Sequence, residues 1–463
     1  MADNEKSLDP NILDKLPKSF SEFSVRLTSY NGNVYDFTEQ VLELSIYETM
    51  YRAFIYGQII IADNAAMLSS FPFIGQEKVR IEWKRDDKKV VKDFFVTDIF
   101  DVTQASENTS VYGVSITSEK QVLNAVNLFS RAYTGRGEEI IKGVYDEYLN
   151  DDLEILINAK TSHNVVFPYL KPMQAIDMVR QNVLAEDDSP MYVFETLYQD
   201  RPRLDSFRHM LEEEPILTLE PSTPVKKSTN PDKPASTDSL ENRAEIYEDK
   251  INAAYDLLDN LSNGSYSSFS TVIDNSQKIG TRTDFDFVRH APPVANSHVS
   301  DLFTIDGRRM NRLYQTRNIV IPQNALAFEN TLPNLNGVEE LDKSILNAYE
   351  NRSTLVSLKI HMDSIHIADN DEIFSVGRPV TYIRPKSTVK SSDDKNRDIS
   401  DKVSSGKYIV SAIHHYIKRE NYTMSIELIR DGIGDNAELE ESSRAPDFDI
   451  EPVIRKSILP PVT

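Results

Sequence analysis

The sequence predicts a β-rich α+β protein with several domains: two tube-like small β-barrel modules, a mixed α/β domain and an inserted mixed segment. Three observations support this prediction. The chain has 463 residues, more than one ordinary domain contains. Short alternating segments typical of strands fill an early and a late part of the chain, in the same order each time. Between these two parts, apolar residues recur at helical spacing.

The first strand-rich region predicts a barrel over 19–117, preceded by a polar arm over 1–18. Its segments are short and separated by turn residues, which is typical of small sandwiches and barrels. These segments occupy 23–27, 41–47, 56–63, 78–83, 94–100 and 112–116.

The middle of the chain predicts a mixed α/β domain over 118–220. Apolar residues fall at helical spacing over 118–149, where a GRG motif at 135–137 interrupts them. A second helix is expected over 172–185, with Pro172 suited to its first turn. A strand is expected over 191–198, and 204–211 fits either a short helix or a strand pair.

The next segments are harder to assign. Four prolines among Ser, Thr, Lys and Asp predict a linker or exposed loop over 221–243. A mixed helical and irregular domain is expected over 244–350. It begins with an amphipathic helix over 244–262, whose apolar positions are Ile246, Ile251, Tyr255, Leu258 and Leu261.

Strands return in the last part of the chain, which predicts a second barrel over 351–432. The residues that follow are acidic, contain prolines and lack a regular pattern. They predict a C-terminal arm over 433–463 that becomes ordered only against a partner.

The second barrel repeats the first. Gly75 precedes a strand at 79–81, and Gly377 precedes one at 380–383. The segment 94–100 aligns with 408–414, and 112–116 aligns with 422–426. A trimer of a chain with two equivalent barrels would present six similar modules around one axis. Such a ring could cap or seed a six-fold tube and keep a three-fold face elsewhere.

Composition excludes several chemistries. The chain has no cysteine, which removes disulfides, thiol catalysis, zinc knuckles and iron–sulfur clusters. Its net charge is −22, whereas proteins that bind DNA specifically usually carry a basic face. No apolar stretch is long enough to span a bilayer, and the N-terminus lacks the features of a signal peptide. We therefore expect a protein that is made in the cytoplasm and does not bind DNA tightly.

No motif in the chain predicts catalysis or a bound cofactor. Neighbouring residues of a strand point to opposite faces, so His414 and His415 cannot easily ligate one metal. The GRG motif at 135–137 lacks the Lys-Ser/Thr of a P-loop and precedes two acidic residues. The acidic run at 212–214 fits a solvated end of an element.

Two polar loops are candidates for contact with a neighbouring ring. One lies at 393–398 in the second barrel, and its counterpart is at 85–89 in the first. The sequence thus assigns no catalytic, cofactor-binding or metal-ligating residue, and it leaves the interface residues unknown.

The strand segments resemble a known family. They are similar to the central baseplate hub proteins of contractile-tailed bacteriophages, the family of the phage T4 hub, which is related to the N-terminal part of type VI secretion spikes. The resemblance is carried by YGQIIIAD (56–63) with FIGQEKVRI (73–81), FPYLKP (167–172) with SPMYVFET (189–196), and SGKYIV (405–410) with IELIRDG (426–432).

This resemblance implies a homotrimer with a pseudo-six-fold ring in the virion tail baseplate, assembled in the bacterial host cytoplasm. Its expected partners are the central spike, a tail tube or tube-initiator protein and baseplate wedge proteins, with DNA passing through the lumen. No cofactor and no catalytic residue are implied. Two alternatives stay open: a hub of a related injection system of type VI or pyocin-like kind, and a cell-wall glycan-binding or glycan-cleaving β protein.

Overall fold

Antiparallel strand pairs dominate the computed structural model. It describes residues 20–64, 67, 73–85, 88–199, 201–221, 246–253, 257–274, 279–290, 304–305, 308–309, 317–323, 340–352, 356–365, 373–384, 401, 404–418 and 421–431. The expected arms at 1–18 and 433–463 and the expected linker at 221–243 lie outside these ranges, apart from residue 221. The β-rich α+β class predicted from the sequence is confirmed.

The first strand set follows the alternation seen in the sequence. It contains β1 (Ser21–Thr28), β2 (Val34–Asp36), β3 (Val41–Thr49), β4 (Tyr56–Asp63), β5 (Lys78–Arg85), β6 (Lys88–Ser106) and β7 (Thr109–Thr117). Neighbours pair antiparallel in the order β3-β4-β7-β6-β5-β1-β2. Alternate residues of these strands are buried around Trp83, the only tryptophan of the chain.

The second strand set comes from the last part of the chain and from two segments before it. It contains β13 (Thr218–Leu219), β14 (Ile246–Ala253), β20 (Val356–Asp363), β21 (Pro379–Tyr382), β22 (Gly406–Lys418) and β23 (Asn421–Arg430). The order is β14-β20-β23-β22-β21-β13, and only the short β13–β21 pair is parallel.

The two strand sets do not form separate closed barrels. β22 pairs antiparallel with β3, so both sets belong to one sheet of 13 strands. Among the described strands this sheet is open, because β14 and β2 stand at the two ends of its path. The two expected small barrels are therefore two strand sets fused along one edge, and neither closes among the described strands. Side-chain alternation shows which face of a strand is buried but not which strand lies beside it.

A second hydrophobic core lies between the two modules in sequence. Its helices are α1 (Glu119–Val126), α2 (Gly137–Leu149) and α3 (Pro172–Arg180); its strands are β8 (Phe129–Arg136), β9 (Glu154–Ile155), β10 (Ser162–Leu170), β11 (Met191–Phe194) and β12 (Arg203–Ser206). The helix that follows β12, α4 (Phe207–Glu212), buries its apolar residues in the core of the strand sets instead. Pro172 occupies the first turn of α3 as predicted. The prediction of helix over 118–149 missed β8. Of the two alternatives for 204–211, the short helix is present as α4, and it follows the single strand β12 rather than a strand pair.

The predicted helix over 244–262 is wrong for its first half. Residues 246–253 form β14, and among the described residues of this range only α5 (Leu257–Ser262) is helical. Pairing with β20 decides the conformation, because contacts with a neighbouring strand override the weak local preference of a short segment for helix.

Further elements lie between β14 and β20. They are β15 (Ser267–Asp274), β16 (Ile279–Asp286), α6 (Phe287–His290), β17 (Thr304–Ile305), β18 (Arg308–Arg309), β19 (Arg317–Gln323) and α7 (Glu340–Arg352). β16, β15 and β19 make a small mixed sheet. No helix in the described ranges is long and apolar enough to cross a membrane.

Candidate assembly interface

The two modules share one strand topology. In the first module the order is β3-β4-β7-β6-β5; in the second it is β14-β20-β23-β22-β21, with every pair antiparallel in both. The repeat predicted from the sequence is therefore present in the structure. It also includes β14, which the sequence pattern assigned to a helix.

The same β-bulge marks both copies. In the first module the register of β6 against β7 shifts at Thr97, and in the second the register of β22 against β23 shifts at Ser411. The Thr97 hydroxyl donates to the carbonyl oxygen of Ser115 at 3.2 Å, and the Ser411 hydroxyl donates to that of Glu427 at 3.1 Å. A bulge changes the direction of a strand and fixes its register. The two modules therefore agree at the level of single residues.

Other local features agree as well. β3 has a register shift at Leu42 against β4, and β14 has one at Tyr247 against β20. Gly75 and Gly377 lead into β5 and β21 with φ of +83° and +82°, a left-handed conformation that favours glycine.

The strand registers correct one part of the sequence alignment. Val96 lies opposite Ile116, and its counterpart Val410 lies opposite Leu428. Ile116 therefore corresponds to Leu428 and not to Ile426, so the predicted match of 112–116 with 422–426 is displaced by two residues. A shift of two keeps every side chain on its own face, which is why alternation alone could not detect it. The match of Phe94 with Tyr408 is correct.

A buried polar network holds the seam between the modules. His415 of β22 contacts Glu48 of β3, with 2.8 Å between Nε2 and Oε1, and contacts the Tyr422 hydroxyl through Nδ1 at 2.7 Å. Glu48 also accepts a hydrogen bond from the backbone N–H of Leu197 at 2.9 Å. Glu48 and His415 are each 1% exposed. The network thus ties together both modules and the middle domain.

The sequence analysis did not single out Glu48, although a signal was present. Glu48 continues the series Leu44 and Ile46 on the buried face of β3, where a carboxylate requires a partner. His415 lies between Ile413 and Ile417 on the buried face of β22. On each strand an ionisable residue takes a place in the series of buried alternate positions that apolar residues otherwise fill. This shared pattern could have indicated that Glu48 and His415 contact each other.

An aromatic stack covers the opposite face of the seam. The His414 ring lies 4.2 Å from that of Tyr47, which in turn stacks on Tyr56 at 5.1 Å. Burial, together with the neighbouring imidazoles of His415 and His361, lowers the pKa of His414 to about 4. His414 and His415 point to opposite faces as predicted, which separates them as possible ligands of one metal.

Two strand edges of the same kind as those in the seam have no partner among the described strands. One is the edge of β6 from Asp98 to Ser106, where β5 no longer pairs. The other is the outer edge of β14. Asp98 and residues 101–106 are exposed, and Val102 is 56% exposed.

The remaining motifs make hydrogen bonds and ion pairs within the chain. The GRG motif joins β8 to α2, where the Glu139 carboxylate accepts from the Arg136 N–H at 2.8 Å and Glu138 accepts from the Ala159 N–H at 2.7 Å. In the acidic run, Glu213 forms an ion pair with Arg378 of the second module at 2.9 Å. Residues 86–87 and the whole loop at 393–398 lie outside the described ranges.

Comparisons with known proteins give structural matches only. No protein-family model and no curated protein matches the chain. A tail protein from Neisseria meningitidis is 11% identical with a TM-score of 0.49, covering 89% of this chain and 97% of that one. A 43 kDa tail protein of prophage MuSo2 from Shewanella oneidensis is 7% identical with a TM-score of 0.49, covering 88% and 98%.

A third match is an E. coli component of the type VI secretion system, described as similar in structure to bacteriophage tail proteins. It is 8% identical with a TM-score of 0.41, covering 84% of this chain and 73% of that one.

Proposed function

We propose that this chain is the structural hub of a contractile phage tail, a homotrimer whose six modules form a pseudo-six-fold ring between the tail tube and the central spike. The observation that carries the proposal is the pair of modules with matching topology and matching bulges, fused side by side through β3 and β22. A trimer of such chains has six similar units around a three-fold axis, which adapts one symmetry to the other.

The two ends of the modules differ in a way that suits this role. Tyr56 lies opposite Thr117, and Val356 lies opposite Arg430, so the middle domain and the insertion both join the sheet at one end of the strands. At the other end each module has a plain hairpin, β6–β7 in the first and β22–β23 in the second. We propose that the hairpin end faces the six-fold tube and the domain-bearing end faces the three-fold spike.

The proposed role is assembly rather than catalysis, without a cofactor. The acidic balance of the chain suits a ring that DNA traverses without specific binding. The ring would belong to the virion tail baseplate, assembled in the host cytoplasm with wedge proteins around it. A hub of a type VI or pyocin-like particle has the same design, and the identity of its tube and spike partners distinguishes the two.

Light scattering on the purified chain tests the trimer. We expect three copies of the 52.7 kDa chain in each particle, alone or after addition of a candidate spike protein. A monomer at every concentration, with and without the spike, contradicts the proposal. Binding of peptidoglycan fragments by that monomer would instead support the glycan-binding alternative.

A further inference from the structure

The strand pairing at the seam inside one chain indicates how strands of two neighbouring chains would pair. Within the chain, β3 of the first module pairs with β22 of the second. The strand that corresponds to β3 is β14, and the strand that corresponds to β22 is β6. These two strands are far apart in the path of the sheet, and each has an edge that no described strand covers.

The registers specify how the two edges would meet. Tyr47 and Asn252 are counterparts, because they lie opposite Tyr56 and Ser357, which occupy equivalent positions of β4 and β20. By the same path Ser45 corresponds to Lys250.

On the other strand the comparison runs through β7 and β23. His414 corresponds to Phe100, since they lie opposite Ser425 and Gly113. Tyr416 corresponds to Thr103, since these lie opposite Thr423 and Val111. β6 has one more residue than β22 between these two points, next to Asp101, whose φ is +52°.

We infer that β14 of one copy pairs antiparallel with the free edge of β6 in the next copy, with Lys250 opposite Thr103 and Asn252 opposite Phe100. In the internal seam, Ser45 lies opposite Tyr416 and Tyr47 opposite His414. This inference rests on the proposed ring and adds the strands and the register through which neighbouring copies join.

The exposed strand edges favour a second copy of the chain as the partner of β6. The unpaired run of β6 has backbone N–H and C=O groups available for a further strand, which folded proteins usually cover or blunt. A second copy supplies the missing strand in the same relation that β3 has to β22. Repetition of this head-to-tail contact closes a ring when the rotation per chain divides a full turn.

Disulfide trapping tests the register, and the absence of native cysteine makes the experiment clean. The test variant is Lys250→Cys with Thr103→Cys, at two exposed positions. The chain is oxidised with diamide and resolved on a non-reducing gel. We expect most of the protein as covalent dimer and trimer, with nothing larger, because three contacts close the ring.

Two matched variants serve as controls. Ser45→Cys with Tyr416→Cys places the same pair in the internal seam, and it should cross-link within one chain without changing the mass. Lys250→Cys with Gln104→Cys moves one residue along β6 and so to its other face, and it should give at most a tenth of the covalent trimer.

Three results overturn the inference. In the first, light scattering shows a trimer and the internal control cross-links, but the variant with Lys250→Cys and Thr103→Cys does not. This result rejects the seam between chains and leaves the proposed ring intact. A cross-link within single chains shows that the sheet closes on itself. Absence of any trimer, with or without the spike, rejects the ring and the seam together.

Discussion

Replacement of Glu48 by alanine should destabilise the seam between the two modules. The Glu48 carboxylate is buried and accepts hydrogen bonds from Leu197 and, in the tautomer with a proton on Nε2, from His415. Its removal leaves both groups buried without that partner. Each buried polar group that loses its hydrogen-bond partner costs about 1–3 kcal/mol, and two such groups are left here. We therefore expect a loss of about 2–6 kcal/mol in the free energy of unfolding.

Another pair in the same seam provides the control. Glu43 of β3 and Lys418 of β22 form an ion pair at 2.5 Å, but 32% and 53% of their side chains are exposed. Solvent screens such a pair, and Glu43→Ala should cost at most about 1 kcal/mol. The two substitutions remove the same kind of side chain from the same strand, so their difference measures the effect of burial.

The single tryptophan reports the result. Trp83 is fully buried in the first module, and its ring lies 6.2 Å from that of Tyr422 in the second. Its fluorescence in urea should show a lower unfolding midpoint for Glu48→Ala than for Glu43→Ala, with unchanged slope. Equal midpoints for the two variants would refute the view that the buried network holds the modules together.

Two further predictions concern single residues near this seam. Gly377→Ala should destabilise the protein by about 2–4 kcal/mol, since it combines the left-handed φ with a Cβ 2.6 Å from the Phe194 ring. Gly75→Ala, with the same φ and open space around it, should cost about 1–2 kcal/mol in the same urea titration; equal costs would exclude the steric contribution. The pKa of His414, lowered to about 4, should appear as a midpoint near that pH in an NMR titration, and Tyr47→Ala should raise it towards 6.5 by exposing the ring. Because the folded pKa is depressed, the stability from neutral His414 is complete above pH 6.5 and is lost as the pH falls towards 4; a midpoint near 6.5 in the unaltered protein contradicts this.

Alternation in the sequence predicted the strands of both modules well. Val25 and Leu27, like Val79 and Ile81, recur every second residue and are buried as that period requires. This regularity comes from local geometry, so a single sequence contains it. The β-rich class and the succession of strands along the last part of the chain followed from it.

Features that depend on distant pairing were not predictable in the same way. Ile246 and Ile251 fit a helical face, and only the edge of β20 makes them part of a strand. The fusion of β3 with β22 joins residues more than 360 positions apart, such as Glu48 and His415. The sequence of one strand does not indicate its pairing partner, because each strand alone shows the same alternation of buried and more exposed residues.

Electron microscopy of the purified chain, classified without imposed symmetry, tests the central claim most directly. We expect a three-fold particle with six similar lobes around a central channel, with plain hairpins on one face and three larger domains on the other. Particles without a channel, or rings whose lobes do not number six, would contradict it. So would single chains that stay apart after addition of the spike.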